Sequence, residues 1–226
     1  MVYRLFCDLI TFPDPRLAEE DGLLAIGGDL KTERLIAAYQ RGIYPWYTEN
    51  YPILWWCPDP RFVLFPEKIR VSQSLRKLVR RGRFAVTINR DFVGVIKSCA
   101  KVPRRGQEGT WITADMISAY TELHRLGYAV SVEAWEGTEL AGGLYGVVIG
   151  RCFFGESMFA WEPNASKVAF VKFVELLQDL QFHVIDCQMK TEHLARFGGE
   201  FIPLEQFLAI LDVGCKEPAP QWPECL

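Results

Sequence analysis

The feature that most constrains this sequence is a run of three apolar segments joined by very short turns. Residues 129–135, 140–149 and 152–159 are rich in β-branched and aromatic side chains, and short glycine-containing turns separate them. Connections this short join antiparallel strands, because a parallel pair needs a crossover of a dozen or more residues. The pattern therefore predicts an antiparallel meander and argues against a doubly wound nucleotide-binding sheet.

Periodic apolar residues predict that helices and further strands surround this meander. A helix over residues 165–180, with Asn164 as its N-cap, precedes a strand over residues 183–188. The other predicted elements are strands at 62–65 and 84–88 and helices at 72–81, 92–100, 114–126, 192–197 and 204–211. Together they predict an α+β domain of the N-acyltransferase type, with a mainly antiparallel central sheet.

The first sixty or so residues differ from the rest, because turns dominate them. One helix is predicted there, over residues 32–40, and Gly42 follows as its stop. One helix cannot bury a core alone, so we expect a small N-terminal domain, residues 1–61, packed on a larger domain, residues 62–226. The tail over residues 217–226 has three prolines and is expected to be loosely attached.

Composition excludes several classes of protein. The net charge of −3 means that any contact with nucleic acid must come from a local patch. The seven cysteines never form a C-x-x-C motif and the three histidines lie far apart, so we expect no disulfide framework and no metal site. No stretch approaches a membrane span and the N-terminus has no cleavage-like site, so we expect a soluble, cytoplasmic protein.

Polar residues stand out at two places on the predicted strands. Glu156 interrupts the apolar segment 153–159, and a buried lone carboxylate must be paired, hydrogen-bonded or open to a cavity. Asp186 and Gln188 share one face of their strand, near its carboxyl end, where ligand crevices form in many open sheets. Plainer interpretations stay open: Glu156 could face solvent at a strand end, and Asp186 could cap the following turn.

Aromatic residues form two further candidate features. Trp111 lies in a loop at 106–113 that contains two glycines, and aromatic side chains crowd segments 44–47 and 55–56. Such side chains can stack on a base or an amino-acid side chain. A loop pinned by one buried tryptophan is the plainer interpretation of the first feature, and an interface between the two domains is the interpretation we favour for the second.

The helix at 72–81 is strongly basic. Its periodicity places Arg76, Lys77, Arg80 and Arg81 on one side, and Arg83 follows the helix. A local basic patch in an acidic chain suggests a phosphate-bearing partner, although a solvated face is the plainer alternative.

Taken together, these segments resemble the bacterial leucyl/phenylalanyl-tRNA–protein transferase family. The resemblance covers nearly the whole chain, in order and at the spacing of the family, and the joint occurrence of the motifs is specific. The motifs are DGLLAIGGDL (21–30), AYQRGIYPW (38–46), WWCPDPR (55–61), GTWIT (109–113), GGLYG (142–146), GESMF (155–159), NASK (164–167) and IDCQ (185–188).

The resemblance implies a two-domain enzyme whose larger domain has an acetyltransferase-like (GNAT-like) fold. It implies that Leu or Phe, sometimes Met, passes from an aminoacyl-tRNA to acceptor proteins beginning with Arg or Lys, which marks them for degradation in the N-degron pathway. An aminoacyl ester is already activated, so no metal or cofactor is expected; we also expect a monomer. Leu144 stands where relatives often carry Met, a volume-conserving change in the expected amino-acid pocket.

The resemblance also implies roles for the candidate residues. Asp186 and Gln188 would form a catalytic pair that positions and deprotonates the acceptor amine, and Glu156 would hold the cationic acceptor. Whether Gln188 acts as a base or only orients the amine stays open. The residues implied for the amino-acid pocket and the terminal adenosine are Trp46, Trp111, Leu144, Phe153, Ser157, Phe173 and Ile185, and those implied for tRNA binding are Arg76, Lys77, Arg80, Arg81 and Arg83.

Two other functions compete with this interpretation. An acetyl-CoA-dependent acetyltransferase needs a glycine-rich turn that presents a helix N-terminus to pyrophosphate, whereas EPNAS (162–166) opens the helix here. A non-catalytic RNA-binding module would use the basic helix and the aromatic residues but leave Glu156, Asp186 and Gln188 without a purpose.

Overall fold

The computed structural model describes residues 2–102 and 110–226. Residues 106–109 of the loop predicted at 106–113 therefore lie outside it. The N-terminal part contains a four-stranded sheet with strand order β1-β2-β4-β3, and one helix. In chain order these elements are β1 (Tyr3–Leu5), β2 (Leu23–Gly27), α1 (Thr32–Tyr39), β3 (Tyr44–Pro45) and β4 (Leu54–Trp56). The sequence predicts only the helix, because strands of two to five residues are too short to show a period.

The larger sheet has seven strands among the described residues, in the order β11-β5-β10-β9-β8-β7-β6. Its elements in chain order are β5 (Arg61–Leu64), α2 (Gln73–Arg81), β6 (Ala85–Ile88), α3 (Phe92–Lys101), α4 (Ala114–Arg125), β7 (Ala129–Glu136), β8 (Glu139–Ile149), β9 (Cys152–Ala160), α5 (Ala165–Asp179), β10 (Val184–Asp186), α6 (Glu192–Arg196), β11 (Glu200–Ile202) and α7 (Leu204–Gly214). Every neighbouring pair is antiparallel except β9 and β10. The predicted α+β fold with a mainly antiparallel central sheet is therefore confirmed.

Different elements cover the two faces of the larger sheet. On one face α5 packs over the strands, and α2 packs on α5. On the other face α3, α4 and α7 share one continuous apolar core with the N-terminal part. Tyr39 and Trp55 of the N-terminal part are fully buried in that core. The small sheet is thus stabilised by the core that it shares with the larger sheet. One helix and four short strands need this contact, because they cannot bury a core of their own.

The C-terminal tail is attached to the larger sheet, so the prediction of a loose tail is wrong. The amide of Leu226 donates to the carbonyl of Val86 in β6 at 3.0 Å. The ring of Trp222 lies 5.8 Å from that of Phe173 and 5.9 Å from that of Phe182. The prolines prevent regular structure in the tail, but one partly buried aromatic side chain and a pair of backbone bonds are enough to fix it.

A buried ion pair lies within the larger sheet, at its contact with the N-terminal part. Arg61 donates from Nε and Nη2 to the two carboxylate oxygens of Asp186 at 2.8 and 2.7 Å, and neither side chain is exposed. The same guanidinium lies 4.8 Å from the ring centroids of Tyr44 in β3 and Phe207 in α7. Arg61 begins β5, and the boundary at residues 61 and 62 stays a prediction.

Replacing Arg61 tests how strongly this ion pair stabilises the fold. Arg61→Met would leave Asp186 buried without its partner, and we expect a loss of about 3–5 kcal/mol in the free energy of unfolding by urea. Arg83→Met is the control, because Arg83 is partly exposed and forms its ion pairs in solvent; we expect a loss below about 1 kcal/mol. Equal losses in the two variants would contradict this account.

Candidate active site

A cavity opens where the parallel strands β9 and β10 separate. β10 pairs with β9 as far as Asp186 and Phe154 and then turns away, whereas β9 continues to Ala160. The gap leads into a cavity of about 840 Å³. The cavity therefore lies at the carboxyl end of β10, where a crevice forms because β9 and β10 diverge.

Most residues predicted for the site lie on the wall of this cavity. They are Trp46, Trp111, Leu144, Phe153, Glu156, Ser157, Ile185, Asp186 and Gln188. The predicted Phe173 does not lie on the wall: it is fully buried behind Phe153, with 4.9 Å between the ring centroids. The reason is the helical period, because α5 turns Phe170 toward the cavity and Phe173 toward the core.

A β-bulge places Glu156 at the cavity. Gly155 and Ser157 pair with consecutive residues of β8, so Glu156 between them has no partner on that strand. The extra residue shifts the alternation of β9, and Phe154 and Phe159 consequently lie in the same core although they are five positions apart, an offset that would place them on opposite faces of a regular strand. The bulge thus directs a carboxylate out of an apolar strand, a frequent arrangement beside active sites.

Glu156 is hydrogen-bonded by side chains from three different elements. Tyr39 of α1 donates to Oε1 at 2.6 Å, and Tyr120 of α4 is hydrogen-bonded to the hydroxyl of Tyr39. The side-chain amide of Gln188 lies 3.4 Å from the same oxygen. Burial, together with the nearby carboxylate, raises the pKa of both tyrosines well above the ordinary value. Both hydroxyls therefore stay protonated at neutral pH and remain donors.

The pKa of Glu156 is raised from 4.5 to about 7. Loss of bulk water is the largest cause and the charge of Asp186 adds to it, whereas the hydrogen bonds from Tyr39, Tyr120 and Gln188 oppose the rise. The side chain is only partly buried and faces the cavity, so a ligand can reach it. A carboxyl group with this pKa can exchange a proton near neutral pH.

The turn after β10 fixes the position of Gln188. Its backbone amide donates to Oδ1 of Asp186 at 2.9 Å, and its φ of 57° lies in the left-handed region, which is strained for a residue other than glycine. The amide of Cys187 donates to the carbonyl of Phe62 in β5 at 3.1 Å. Because both carboxylate oxygens of Asp186 accept from Arg61, Asp186 orients Gln188 through the backbone amide and does not contact its side chain.

Three residues that position the polar groups are not evident from the sequence. Tyr39 and Tyr120 look like apolar positions on amphipathic helices, and Arg61 looks like the end of an aromatic segment. No short-range pattern indicates that the two tyrosines meet a carboxylate far along the chain. The available signal is that Tyr39 and Arg61 lie inside motifs that carry the family resemblance.

Two tryptophans stand on the wall of the cavity. Trp46 is fixed by Trp56, whose indole donates to the carbonyl of Trp46 at 2.7 Å and whose ring lies edge-on at 5.7 Å. Trp111 precedes α4, where the Thr113 hydroxyl caps the first turn. Both residues line the cavity, while the neighbouring Trp55 is buried in the shared core.

α2 presents a basic surface next to α5. The Ser72 hydroxyl caps its first turn, and Gly82, with φ of 64°, ends it. The exposed cations are Arg76, Lys77, Arg80 and Arg81. Arg83 differs from them, because it donates to Glu136 at 2.8 and 2.9 Å and to Glu162 at 2.8 Å. Its charge is already compensated within the protein.

Within residues 2–102 and 110–226, no group of three or more His, Cys, Asp or Glu side chains is arranged to hold a metal ion. No helix of the described chain is long and apolar enough to cross a membrane. The polar side chains on the cavity wall include those of Glu156, Ser157, Ser166, Lys167, Gln188, Thr191 and His193.

Two sequence families match the chain, one for each part. The family "Leucyl/phenylalanyl-tRNA protein transferase" matches residues 63–212, and "Leucyl/phenylalanyl-tRNA protein transferase N-terminal domain" matches residues 28–59. These matches define the chain as having the two-part architecture of a tRNA–protein transferase family.

Similar proteins with this name align over almost their whole length. A leucyl/phenylalanyl-tRNA–protein transferase from Anaeromyxobacter sp. (strain Fw109-5) is 59% identical over 217 residues, 96% of this chain and 92% of the relative. One from Myxococcus xanthus (strain DK1622) is 57% identical over 207 residues, 92% of this chain and 88% of the relative. The chain belongs to the leucyl/phenylalanyl-tRNA–protein transferase family, and the predicted resemblance is confirmed.

Similarity to solved structures is distant. The structure of L-PGS from Bacillus licheniformis aligns with a TM-score of 0.37 and 10% identity, covering 76% of this chain and 56% of that one. A TM-score this low does not establish a shared fold.

Removing the Tyr39 hydroxyl tests the electrostatics of Glu156. Tyr39→Phe deletes a bond that stabilises the carboxylate, so the pKa of Glu156 should rise further above 7. Carbon-13 NMR of the carboxyl groups would follow the titration, with Glu156→Gln identifying the signal. Tyr128→Phe, at a solvent-facing tyrosine, is the control. A midpoint unchanged by Tyr39→Phe would contradict the assignment.

The same carboxyl should also make stability depend on pH. Its pKa is about 7 in the folded protein and 4.5 is the ordinary value, so the folded state binds more protons between these pH values. Stability should therefore fall as the pH rises from about 4.5 to about 7 and level off above that, and Glu156→Gln should flatten this part of the profile.

Proposed function

We propose that this protein transfers Leu or Phe, and sometimes Met, from an aminoacyl-tRNA to the N-terminal amine of proteins that begin with Arg or Lys. The observation that carries the proposal is the hydrogen-bonded pair of Gln188 and Glu156, which faces a cavity with apolar and aromatic walls. The names of the similar proteins support the same reaction. Acceptors modified in this way would be marked for degradation in the N-degron pathway.

The reaction is the aminolysis of an ester. The acceptor nitrogen attacks the carbonyl carbon, a carbon–nitrogen bond forms, and the bond from the carbon to the ribose oxygen breaks. One proton must leave the nitrogen and one must reach the leaving oxygen, so a single group can take the first and return it to the second.

Glu156 is the group best suited to carry this proton. Its pKa of about 7 leaves a substantial ionised fraction at neutral pH, and this fraction can accept a proton from the amine. Gln188, whose side-chain amide contacts Glu156, would orient the amine through its carbonyl oxygen. The negative charge of Glu156 also suits a cationic acceptor, which keeps the role that the resemblance implies for it.

Asp186 supports the reaction without touching the amine. Its carboxylate is occupied by Arg61 and by the backbone amide of Gln188, so we propose that it acts as a positioning residue. Loss of its charge would release Gln188 from a strained turn. This role differs from the direct proton abstraction that the resemblance implies for the pair of Asp186 and Gln188.

The apolar wall of the cavity is proposed to bind the donor side chain. Leu144, Phe153 and Ile185 are almost fully buried around it, and Phe170 completes the wall from α5. Burial of a Leu or Phe side chain there stabilises the complex by about 1.5–3 kcal/mol. Phe173 supports Phe153 from behind. Ser157, the residue after Glu156, also lies on the cavity wall.

Trp46 and Trp111 are proposed to bind the terminal adenosine of the donor, and the basic surface of α2 to bind tRNA phosphates. A base stacked on an aromatic ring contributes about 1–3 kcal/mol. The four exposed cations of α2 lie on a helix that packs on α5, which itself reaches the cavity. Arg83 is excluded from this set, because its ion pairs with Glu136 and Glu162 would have to break first.

We also propose that the larger domain has an acetyltransferase-like architecture. A mainly antiparallel sheet with one parallel pair that separates at a cavity supports this comparison. Acetyl-CoA is disfavoured as a donor, since the start of α5 lacks the glycine-rich turn that such a donor needs.

Single-turnover transfer tests the proposed roles of Glu156 and Gln188. With saturating Phe-tRNA and a peptide beginning with Arg, Glu156→Gln should slow transfer at least about 100-fold, the usual effect of a positioned acid–base group. Gln188→Ala should also slow transfer, and the double variant should be little slower than the slower single one, because the two residues act as a unit.

Glu175→Gln is the matched control for these variants, because Glu175 is exposed on α5 away from the cavity. It should transfer at the parental rate. Phe-tRNA binding, measured separately, should change little in all variants, because the proposed contacts act mainly in the transition state. A parental rate for Glu156→Gln would show that the proton is carried elsewhere.

Salt dependence of tRNA binding tests the basic surface of α2. The double variant Arg76→Ala, Arg80→Ala should bind every aminoacyl-tRNA more weakly, and the slope of log affinity against log salt should fall by about 1 for each phosphate that is no longer neutralised. Arg125→Ala with Lys216→Ala changes the net charge equally at positions outside α2 and should leave the slope unaltered. Fluorescence anisotropy provides the measurement, and identical slopes for the two double variants would exclude α2 as the tRNA-binding surface.

A further inference from the structure

The N-terminus of α5 reaches the cavity without a cap. Asn164 occupies the capping position with φ of 69°, but its side chain makes no capping bond and instead accepts from Nζ of Lys167 at 3.0 Å. In the described chain, no acceptor takes the backbone amides of Ser166 and Lys167. A helix of fifteen residues concentrates partial positive charge at such an end.

Ser166 provides an independent sign of a missing ligand. Its side chain lies on the cavity wall and the residue is 8% exposed, yet its hydroxyl has no hydrogen-bond partner among the described residues. A hydroxyl that lines a cavity and has no protein partner is free to donate to a ligand. A bound ligand that accepts a hydrogen bond would supply this partner.

Two cationic or ionisable side chains lie beside this hydroxyl on the cavity wall. Lys167 forms no ion pair within the described part of the chain, and Glu162, the acid that precedes α5, is already paired with Arg83 at 2.8 Å. Nε2 of His193, from α6, is buried and has no partner among the described atoms. Lys167 and Arg196 both act on the charge of His193, so the three side chains lie near one another.

We propose that the N-terminus of α5, with Ser166, Lys167 and His193, forms a subsite for a phosphodiester group near the 3′ end of the donor RNA. This inference rests on the proposed function. The amides, the hydroxyl and the ammonium all donate, which suits phosphate oxygens and not a cationic acceptor peptide. The same helix packs on α2, so one element connects the basic surface with the cavity.

Calorimetric binding of adenosine and of adenosine 5′-monophosphate tests the subsite without any transfer reaction. The phosphate should tighten binding about tenfold, which corresponds to about 1.4 kcal/mol. Lys167→Met and Ser166→Ala should each reduce this preference and leave the affinity for adenosine unchanged. The ring signals of His193 in NMR should shift with the monophosphate and not with adenosine.

Two further variants separate a specific contact from a general loss of charge or of folding. Lys172→Met removes the same charge from another face of α5, outside the cavity wall, and should keep the full preference. Lys167→Arg should keep most of the preference for the monophosphate over adenosine that Lys167→Met reduces, because arginine retains the positive charge. A thermal melt of each variant confirms that it is folded.

The outcomes distinguish this inference from the proposed function. If the parental protein binds adenosine and its monophosphate equally, or binds neither, the subsite is overturned whatever the transfer assay shows. If Lys172→Met loses the preference as fully as Lys167→Met, the effect is one of net charge and the subsite is again overturned. If the preference and its loss in Lys167→Met are found but no amino acid is transferred, the proposed function fails alone and the phosphate subsite is supported.

Discussion

The cavity depends first on the buried ion pair between Arg61 and Asp186. This one contact involves the first residue of β5 and the last of β10, and the guanidinium is enclosed by aromatic rings from the N-terminal sheet and α7. A charge this deeply buried is tolerated only when its partner is fixed in geometry, because an unpaired buried charge costs several kcal/mol. The pair therefore fixes the point at which β10 leaves the sheet, and with it the strained turn that presents Gln188.

A second constraint acts from the opposite strand. The bulge in β9 brings Glu156 to Tyr39 of the N-terminal part, which donates a hydrogen bond to it. Tyr120 of α4 is in turn hydrogen-bonded to Tyr39. The two residues of the Gln188–Glu156 contact are thus positioned independently. Arg61 positions Gln188 through Asp186, and the tyrosines position Glu156. Since Tyr39 and Tyr44 both belong to the N-terminal part, that part helps to build the site as well as to cover it.

The sequence predicts the long, periodic elements well, but it does not predict the residues that position the polar groups of the site. The meander and α5 follow from local period alone. The strand predicted over residues 183–188 ends at Asp186, so Gln188 lies in the following turn and not on a shared strand face, although both residues lie on the cavity wall. The N-terminal strands are too short to show a period, and the attachment of the tail depends on one tryptophan. Tyr39 lies 117 residues from Glu156 and Arg61 lies 125 residues from Asp186 along the chain, so no local pattern identifies these two contacts. Phe173 fails as a wall residue because the family resemblance, from which its role was inferred, does not fix the rotation of α5.

The electrostatics of Glu156 follow from the packing of the two parts. The N-terminal part removes bulk water from one side of the carboxyl and so raises its pKa, while the hydroxyl that it supplies from Tyr39 limits the rise. These opposing effects leave the carboxyl with a pKa of about 7. This value is higher than the pKa of a fully solvated carboxyl, but low enough for the group to ionise near neutral pH. A mobile N-terminal part would lose both effects together. The continuous core that joins the small sheet to α3, α4 and α7 is therefore a requirement of the chemistry as well as of the fold.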